Sequence, residues 1–156
     1  MLLKKTIIQV IFLLSLVSIT KSQNKGFGAG ILIGEPTGLS GKYWLDESRA
    51  LDFGLAYSFV HTHPAFSLHS DVIFHDSDII KSQFRLPVYY GFGIRIHFSN
   101  KDGNTFGARG VMGIAWLLDN EALDIFFEIA PVFNLFPETS LQLDFSIGSR
   151  YYFKTK

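Results

Sequence analysis

Few residues in this chain have the types and spacing that chemistry demands. His61-Thr62-His63 would set two imidazoles on one side of an extended segment, with His69, Asp71, His75 and Asp76 following closely. A zinc site needs three or four converging ligands in fixed geometry. A histidine pair in a connecting segment reads instead as a solvated loop. His69-Ser70-Asp71 contains the residue types of a hydrolytic triad. Neighbouring residues of a strand point to opposite faces, so these three cannot form the hydrogen-bond relay such a triad requires. Gly26-Phe27-Gly28-Ala29-Gly30 has Gly-x-Gly spacing, yet lacks the strand-then-helix setting of a dinucleotide site. No catalytic residue, cofactor site or metal ligand set is assigned, and the expectation is a protein that is not an enzyme.

The charges are more informative. Asp52, His69, Asp71, Arg95, Asp124, Glu128, Asp144 and Arg150 all fall on the small-residue face of segments that alternate with period two. In the third segment Leu51, Phe53, Leu55 and Tyr57 oppose Asp52, Gly54, Ala56 and Ser58. In the fifth, Val88, Tyr90, Phe92, Ile94 and Ile96 oppose Tyr89, Gly91, Gly93, Arg95 and His97. A water-facing wall would be dense in Lys, Glu and Thr. Glycine and alanine with isolated charges fit the narrow interior of an eight-stranded barrel, where side chains fill the bore. The large apolar set then faces lipid, and the eight charged residues form a structural network in the lumen, with Arg109 and Lys42 as further candidates.

Turn-rich clusters divide the chain into eight strands: Gly26–Gly34, Thr37–Leu45, Arg49–Val60, Ala65–His75, Leu86–Phe98, Asn104–Leu118, Glu121–Leu135 and Ser140–Phe153. The connections are too short for helical crossovers, so neighbours are antiparallel. Part of the chain repeats. Trp44 leads to Ala50-Leu51-Asp52, and 72 residues later Trp116 leads to Ala122-Leu123-Asp124. Gly38 and Gly41 match Gly110 and Gly113. Ser67-Leu68 with Asp71 matches Ser140-Leu141 with Asp144, and Gly26-Phe27-Gly28 matches Gly91-Phe92-Gly93. Either a four-plus-four duplication or chance similarity among alternating strands accounts for this. A closed even-numbered sheet has no edges. Trp44 and Trp116 are expected at the membrane interface, where amphipathic indoles belong. Matching the two copies strand for strand conflicts over which face Trp116 takes, so a bulge is expected in strand two or six. Pro87 and Pro131 fall inside strands and are expected at bulges.

Composition agrees. Charged residues make up 18% of the chain, below the roughly 25% of an ordinary soluble domain. Basic and acidic residues balance at 14 each, which excludes the electrostatic footprint of a nucleic-acid binder. The absence of cysteine excludes disulfides, thiolate metal sites and a cysteine nucleophile. Residues 1–22 read as a signal peptide: Lys4-Lys5, an apolar run from Ile7 to Ile19, then small polar residues. Residues 23–156 then form the barrel domain.

Gly34-Glu35-Pro36-Thr37-Gly38-Leu39-Ser40-Gly41-Lys42-Tyr43-Trp44, with Ala50-Leu51-Asp52 and the closing Gly148-Ser149-Arg150-Tyr151-Tyr152-Phe153, resembles a family of small bacterial outer-membrane β-barrel proteins, similar in architecture to OmpA/OmpX-type barrels. The resemblance implies location and fold and brings no catalytic residues with it. It also implies the outer-membrane assembly machinery as a partner, since many such barrels end in an aromatic residue that this machinery reads. Here Lys154-Thr155-Lys156 follow Phe153.

The expected protein is therefore a monomeric, all-β, eight-stranded antiparallel up-and-down transmembrane barrel in the bacterial outer membrane. Its partners are outer-membrane lipids, and its role is envelope-structural or surface interaction. Two alternatives stay open: a soluble lipocalin-like periplasmic barrel binding an apolar ligand, and an outer-membrane lipid-modifying enzyme. Some outer-membrane barrels are lipid A deacylases with a His-x-Ser pair near the lipid face; no such pair is assigned here.

Overall fold

The computed structural model describes residues 26–58, 65–101, 103–118 and 122–153. The expected signal peptide, the His61–His63 pair and Lys154–Lys156 lie outside these residues. Eight strands follow one another: β1 (Gly26–Glu35), β2 (Thr37–Trp44), β3 (Arg49–Ser58), β4 (Ala65–Asp76), β5 (Val88–Ser99), β6 (Thr105–Leu117), β7 (Leu123–Phe136) and β8 (Ser140–Phe153). Each pairs antiparallel with the next, and β8 pairs with β1 to close the barrel. This is the expected all-β antiparallel barrel.

The closure is staggered. Cross-strand partners lead from Gly28 through Lys42, Asp52, Asp71, Gly93, Arg109 and Val132 to Gln142. Gly28 itself pairs across the seam with Tyr152, ten residues further along β8. Such a stagger tilts the strands by roughly 35–45° from the barrel axis.

Local chemistry sets the ends of the strands. The β2–β3 turn is held by the Asp46 carboxylate, which accepts from the Ser48 N–H at 2.9 Å and from the Arg49 N–H at 2.7 Å. The Arg49 guanidinium donates to the same group at 2.6 Å. The Ser48 N–H, followed by Arg49, holds this exposed carboxyl well below the usual carboxylate range. The turn's stabilisation is thus complete above the ordinary carboxyl range near pH 4 and fades as pH falls below it. At the other end, Pro36 alone separates β1 from β2, and Thr37 Oγ1 exchanges hydrogen bonds with the Gly34 N–H (3.1 Å) and C=O (2.8 Å).

Burial alternates as the sequence implies. Phe53, Leu55 and Tyr57 are exposed, whereas Asp52, Gly54, Ala56 and Ser58 are buried. The same holds along β8, where Phe145 and Ile147 stand outside and Asp144, Ser146 and Gly148 inside. Glycines open the room that bulky lumenal rings occupy. A Cβ on Gly28 would lie 2.6 Å from Tyr152 Cε1, and one on Gly54 would strike the His69 ring.

The conflict between the two copies is real, and two expectations that followed from it and from the prolines are corrected. β2 and β6 take opposite faces at matched positions: Trp44 is 4% exposed and Trp116 40%. Trp44 pairs with Ala50, but Trp116 pairs with Ile125, three residues beyond the matching Ala122. An odd shift turns one strand over relative to its copy. The bulge expected in strand two or six lies instead at the far end of the β6–β7 pair, where Leu135 is the extra residue between partners of Phe106 and Gly107. The prolines are not bulges either. Pairing lapses opposite Pro131 and resumes in the same register, as the loss of one N–H donor requires. Pro87 precedes β5, yet its carbonyl accepts from the Ala115 N–H at 3.0 Å.

Candidate functional site: the lumenal ion-pair network

The tilt brings together charges that are remote in sequence. All eight residues of the expected network are buried: Asp52, His69, Asp71, Arg95, Asp124, Glu128, Asp144 and Arg150. Lys42 and Arg109 join them and are also buried.

Arg150 occupies the middle of the bore. Its Nη2 donates to Asp52 Oδ1 at 2.6 Å and its Nε to Ser40 Oγ at 2.7 Å. Nη1 stands 3.8 Å from Asp124 Oδ2, and the guanidinium carbon lies 3.8 Å from the Phe126 ring centroid. Asp124 also accepts from Tyr152 Oη at 2.6 Å and faces Lys42 Nζ at 3.9 Å. Arg109 bridges Asp71 and Glu128, the latter at 2.5 Å, and Tyr89 Oη completes the Glu128 carboxylate at 2.9 Å. Towards the β7–β8 turn, Arg95 donates to both Asp144 oxygens at 2.7 Å and to Gln142 Oε1 at 2.5 Å.

Every buried cation among the described residues therefore meets at least one carboxylate, which burial of charge demands. Such a network contributes little net stability against an apolar filling. What it does is penalise any register that would leave one member unpaired.

Asp52, His69 and Asp71 each offer a potential ligand atom, all within 4.8 Å of one another. Arg150 already holds Asp52, and Arg109 already holds Asp71, so guanidinium groups supply the positive charge there. His69 Nε2 lies 3.8 Å from Asp52 Oδ2. Ser70 takes the opposite face of β4 and so does not stand beside this pair.

Trp44 is not at the interface. Its ring lies in the lumen, 4.3 Å from the Lys42 ammonium and 4.3 Å from the His75 ring. Lys42 Nζ donates to His75 Nε2 at 2.7 Å, and His75 Nδ1 reaches Ser48 O at 3.2 Å. This cluster lies towards the rim where the described chain begins and ends. Trp116 does face outward, with Phe84 against it edge-on at 5.6 Å. Period-two alternation puts Tyr89 on the face of Arg95 and Tyr152 on the face of Arg150, and sequence reasoning gives neither a role. Their shared face with Arg95 and Arg150 was the available signal.

The chain also holds two His-x-Ser pairs, His75-Asp76-Ser77 and His97-Phe98-Ser99. His75 is committed to Lys42 and Ser48, and Ser77 lies beyond the strand. Ser99 is 8% exposed and shares the inward-facing register of Arg95 with His97. Neither pair stands on the outer wall, where a lipid-facing deacylase would need it.

No family model and no curated protein matches the chain. Solved structures do resemble it, two bacterial barrels among them. The N-terminal β-barrel domain of Pseudomonas aeruginosa OprF superposes with a TM-score of 0.64 at 14% identity, covering 85% of this chain and 100% of that one. Neisserial surface protein A (NspA) gives 0.53 at 12% identity, covering 82% and 94%. At such identities the likeness is one of architecture: the chain has the eight-stranded barrel fold of outer-membrane proteins.

Proposed function

We propose that the chain is an integral outer-membrane protein with a sealed lumen, non-enzymatic and monomeric, that contributes to the integrity of the envelope. The observation that carries this reading is the inversion of the barrel. Arg150, Lys42, Asp71 and Asp124 are at most 1% exposed inside, while Phe92, Phe145, Ile147 and Leu143 are more than 50% exposed outside. An apolar-ligand carrier of the lipocalin type would have the opposite arrangement, an apolar bore and a polar wall. Acyl chains suit this wall, and a bore filled with paired charges has no role in holding an apolar ligand. The brevity of two connections at the far rim, Pro36 and residues 137–139, favours a wall-building role over recognition by large loops.

Fractionation and conductance test the reading together. The protein is expected in the detergent-extracted membrane fraction, and the purified barrel in planar bilayers is expected to give no steady current. Recovery in the soluble fraction would overturn the membrane assignment, and regular unitary steps would overturn the sealed lumen. Cells lacking the protein are expected to admit apolar dyes faster; unchanged uptake would remove the integrity role.

A further inference from the structure

We propose that Lys42 and His75 form a latch at one end of the lumen, released when His75 takes up a proton; this deepens, and rests on, the sealed-lumen reading above. Its parts come from well-separated places in the chain. Lys42 and Trp44 lie at the end of β2, Ser48 in the β2–β3 turn, His75 at the end of β4 and Tyr89 at the start of β5. All fall towards the rim where the described chain begins and ends.

The contacts assign the protons on the imidazole. Nε2 accepts from the Lys42 ammonium at 2.7 Å, so it carries none. Nδ1 faces Ser48 O at 3.2 Å, and a carbonyl only accepts, so Nδ1 carries one. The same carbonyl accepts from the His75 backbone N–H at 2.7 Å. His75 is therefore a neutral imidazole while the latch is closed. In that form it packs on Trp44 at 4.3 Å and on Tyr89 at 5.4 Å, and Trp44 is 4% exposed.

A proton on Nε2 would remove the acceptor that Lys42 uses and bring two cations into contact. No neighbouring group offsets this. Asp124 of β7 stands 3.9 Å from Lys42 Nζ and is shared with Arg150 and Tyr152. Asp52 of β3 is held by Arg150, which itself adds a like charge. The Tyr89 hydroxyl is committed to Glu128. Arg85 takes the inward register two inward positions beyond Tyr89. In the turn, Asp46 and Arg49 hold each other, and on β4 itself Asp71 is held by Arg109 and Asp76 by the Asp78 N–H. The proton is thus accommodated when His75 leaves Lys42, and that departure uncovers Trp44.

An exposed imidazole titrates near about pH 6.5. Below that value the open latch is favoured up to about tenfold per pH unit. The Trp44 indole N–H reports it, being buried with no hydrogen-bond partner among the described residues. The full-length protein is refolded in detergent micelles, and NMR follows protection of this proton from exchange, corrected for the intrinsic rate, between about pH 8 and pH 5. Protection is expected to fall up to about tenfold per pH unit below about pH 6.5. His75→Gln keeps an oxygen for Lys42 but takes up no proton, so its protection should not vary with pH. Steady protection in the parent overturns the latch. So does a pH dependence that survives His75→Gln, which would belong to the carboxylates or the other histidines. If that variant does not fold, the imidazole nitrogen shifts of the parent decide: a bare Nε2 at neutral pH is expected, and a protonated one overturns the latch. An indole that exchanges freely at neutral pH overturns the latch and the sealed lumen together.

Discussion

Replacing Arg150 with methionine is expected to cost about 3–5 kcal/mol of folding free energy, the penalty for leaving buried carboxylates without their cation. Arg150 is 1% exposed and is held by Asp52 and Ser40, with Asp124 opposite Nη1. Methionine fills similar space and stacks on Phe126 as the guanidinium does, so lost volume accounts for little of the effect. The charge accounts for the rest. The double variant Arg150→Met with Asp52→Asn removes one stranded anion and should recover a substantial part of the loss. Urea-dependent folding into lipid vesicles, read by the heat-modifiable band on gels, measures both. A single variant within about 1 kcal/mol of the parent would show that the lumen is wet and the charges independently solvated.

The pairings that this experiment probes could not be read from the sequence, although their members could. Arg95 has His69 and Gly107 as its neighbours in the sheet, and neither is an acid. Its partner, Asp144, comes from β8 across the bore. Which strands meet across the lumen depends on the ten-residue stagger, a sum of hairpin registers that no single segment encodes. What alternation does encode is the face. The inward positions of β3, β4, β5 and β8 follow from period two alone, because one side is bulky and apolar and the other small or charged.

The same logic fails for β2. There Tyr43 and Trp44 are adjacent aromatics, and either could face out by type. The choice is made by the β2–β3 hairpin, which pairs Lys42 with Asp52 and so commits Trp44 to the inside. In the second copy the register differs by three and Trp116 goes outside. Similarly, Phe84 and Arg85 read as the end of a loop, since the fifth strand is expected to begin at Leu86. Only the pairing of Arg85 with Leu117 shows that the wall continues there.

Orientation of the wall has a test whose sign, not only its size, separates the two possible surroundings. Phe92 stands near the middle of β5 and is 66% exposed, whereas Phe98, 39% exposed, lies at the strand's far end. Arginine at a lipid-facing midplane position costs roughly 2–4 kcal/mol, falling to about 0–1 kcal/mol near the interface. Phe92→Arg should therefore shift the urea midpoint of vesicle refolding strongly downward, and Phe98→Arg only slightly. For a barrel surrounded by water the expectation reverses. Exchanging an exposed phenylalanine for a charged residue would then leave stability nearly unchanged and improve solubility. The contrast does not depend on the lumenal network, since both side chains point away from it. A flat response at the two positions would mean that these aromatics do not meet acyl chains. The charged interior would then need an explanation other than the exclusion of charge from lipid.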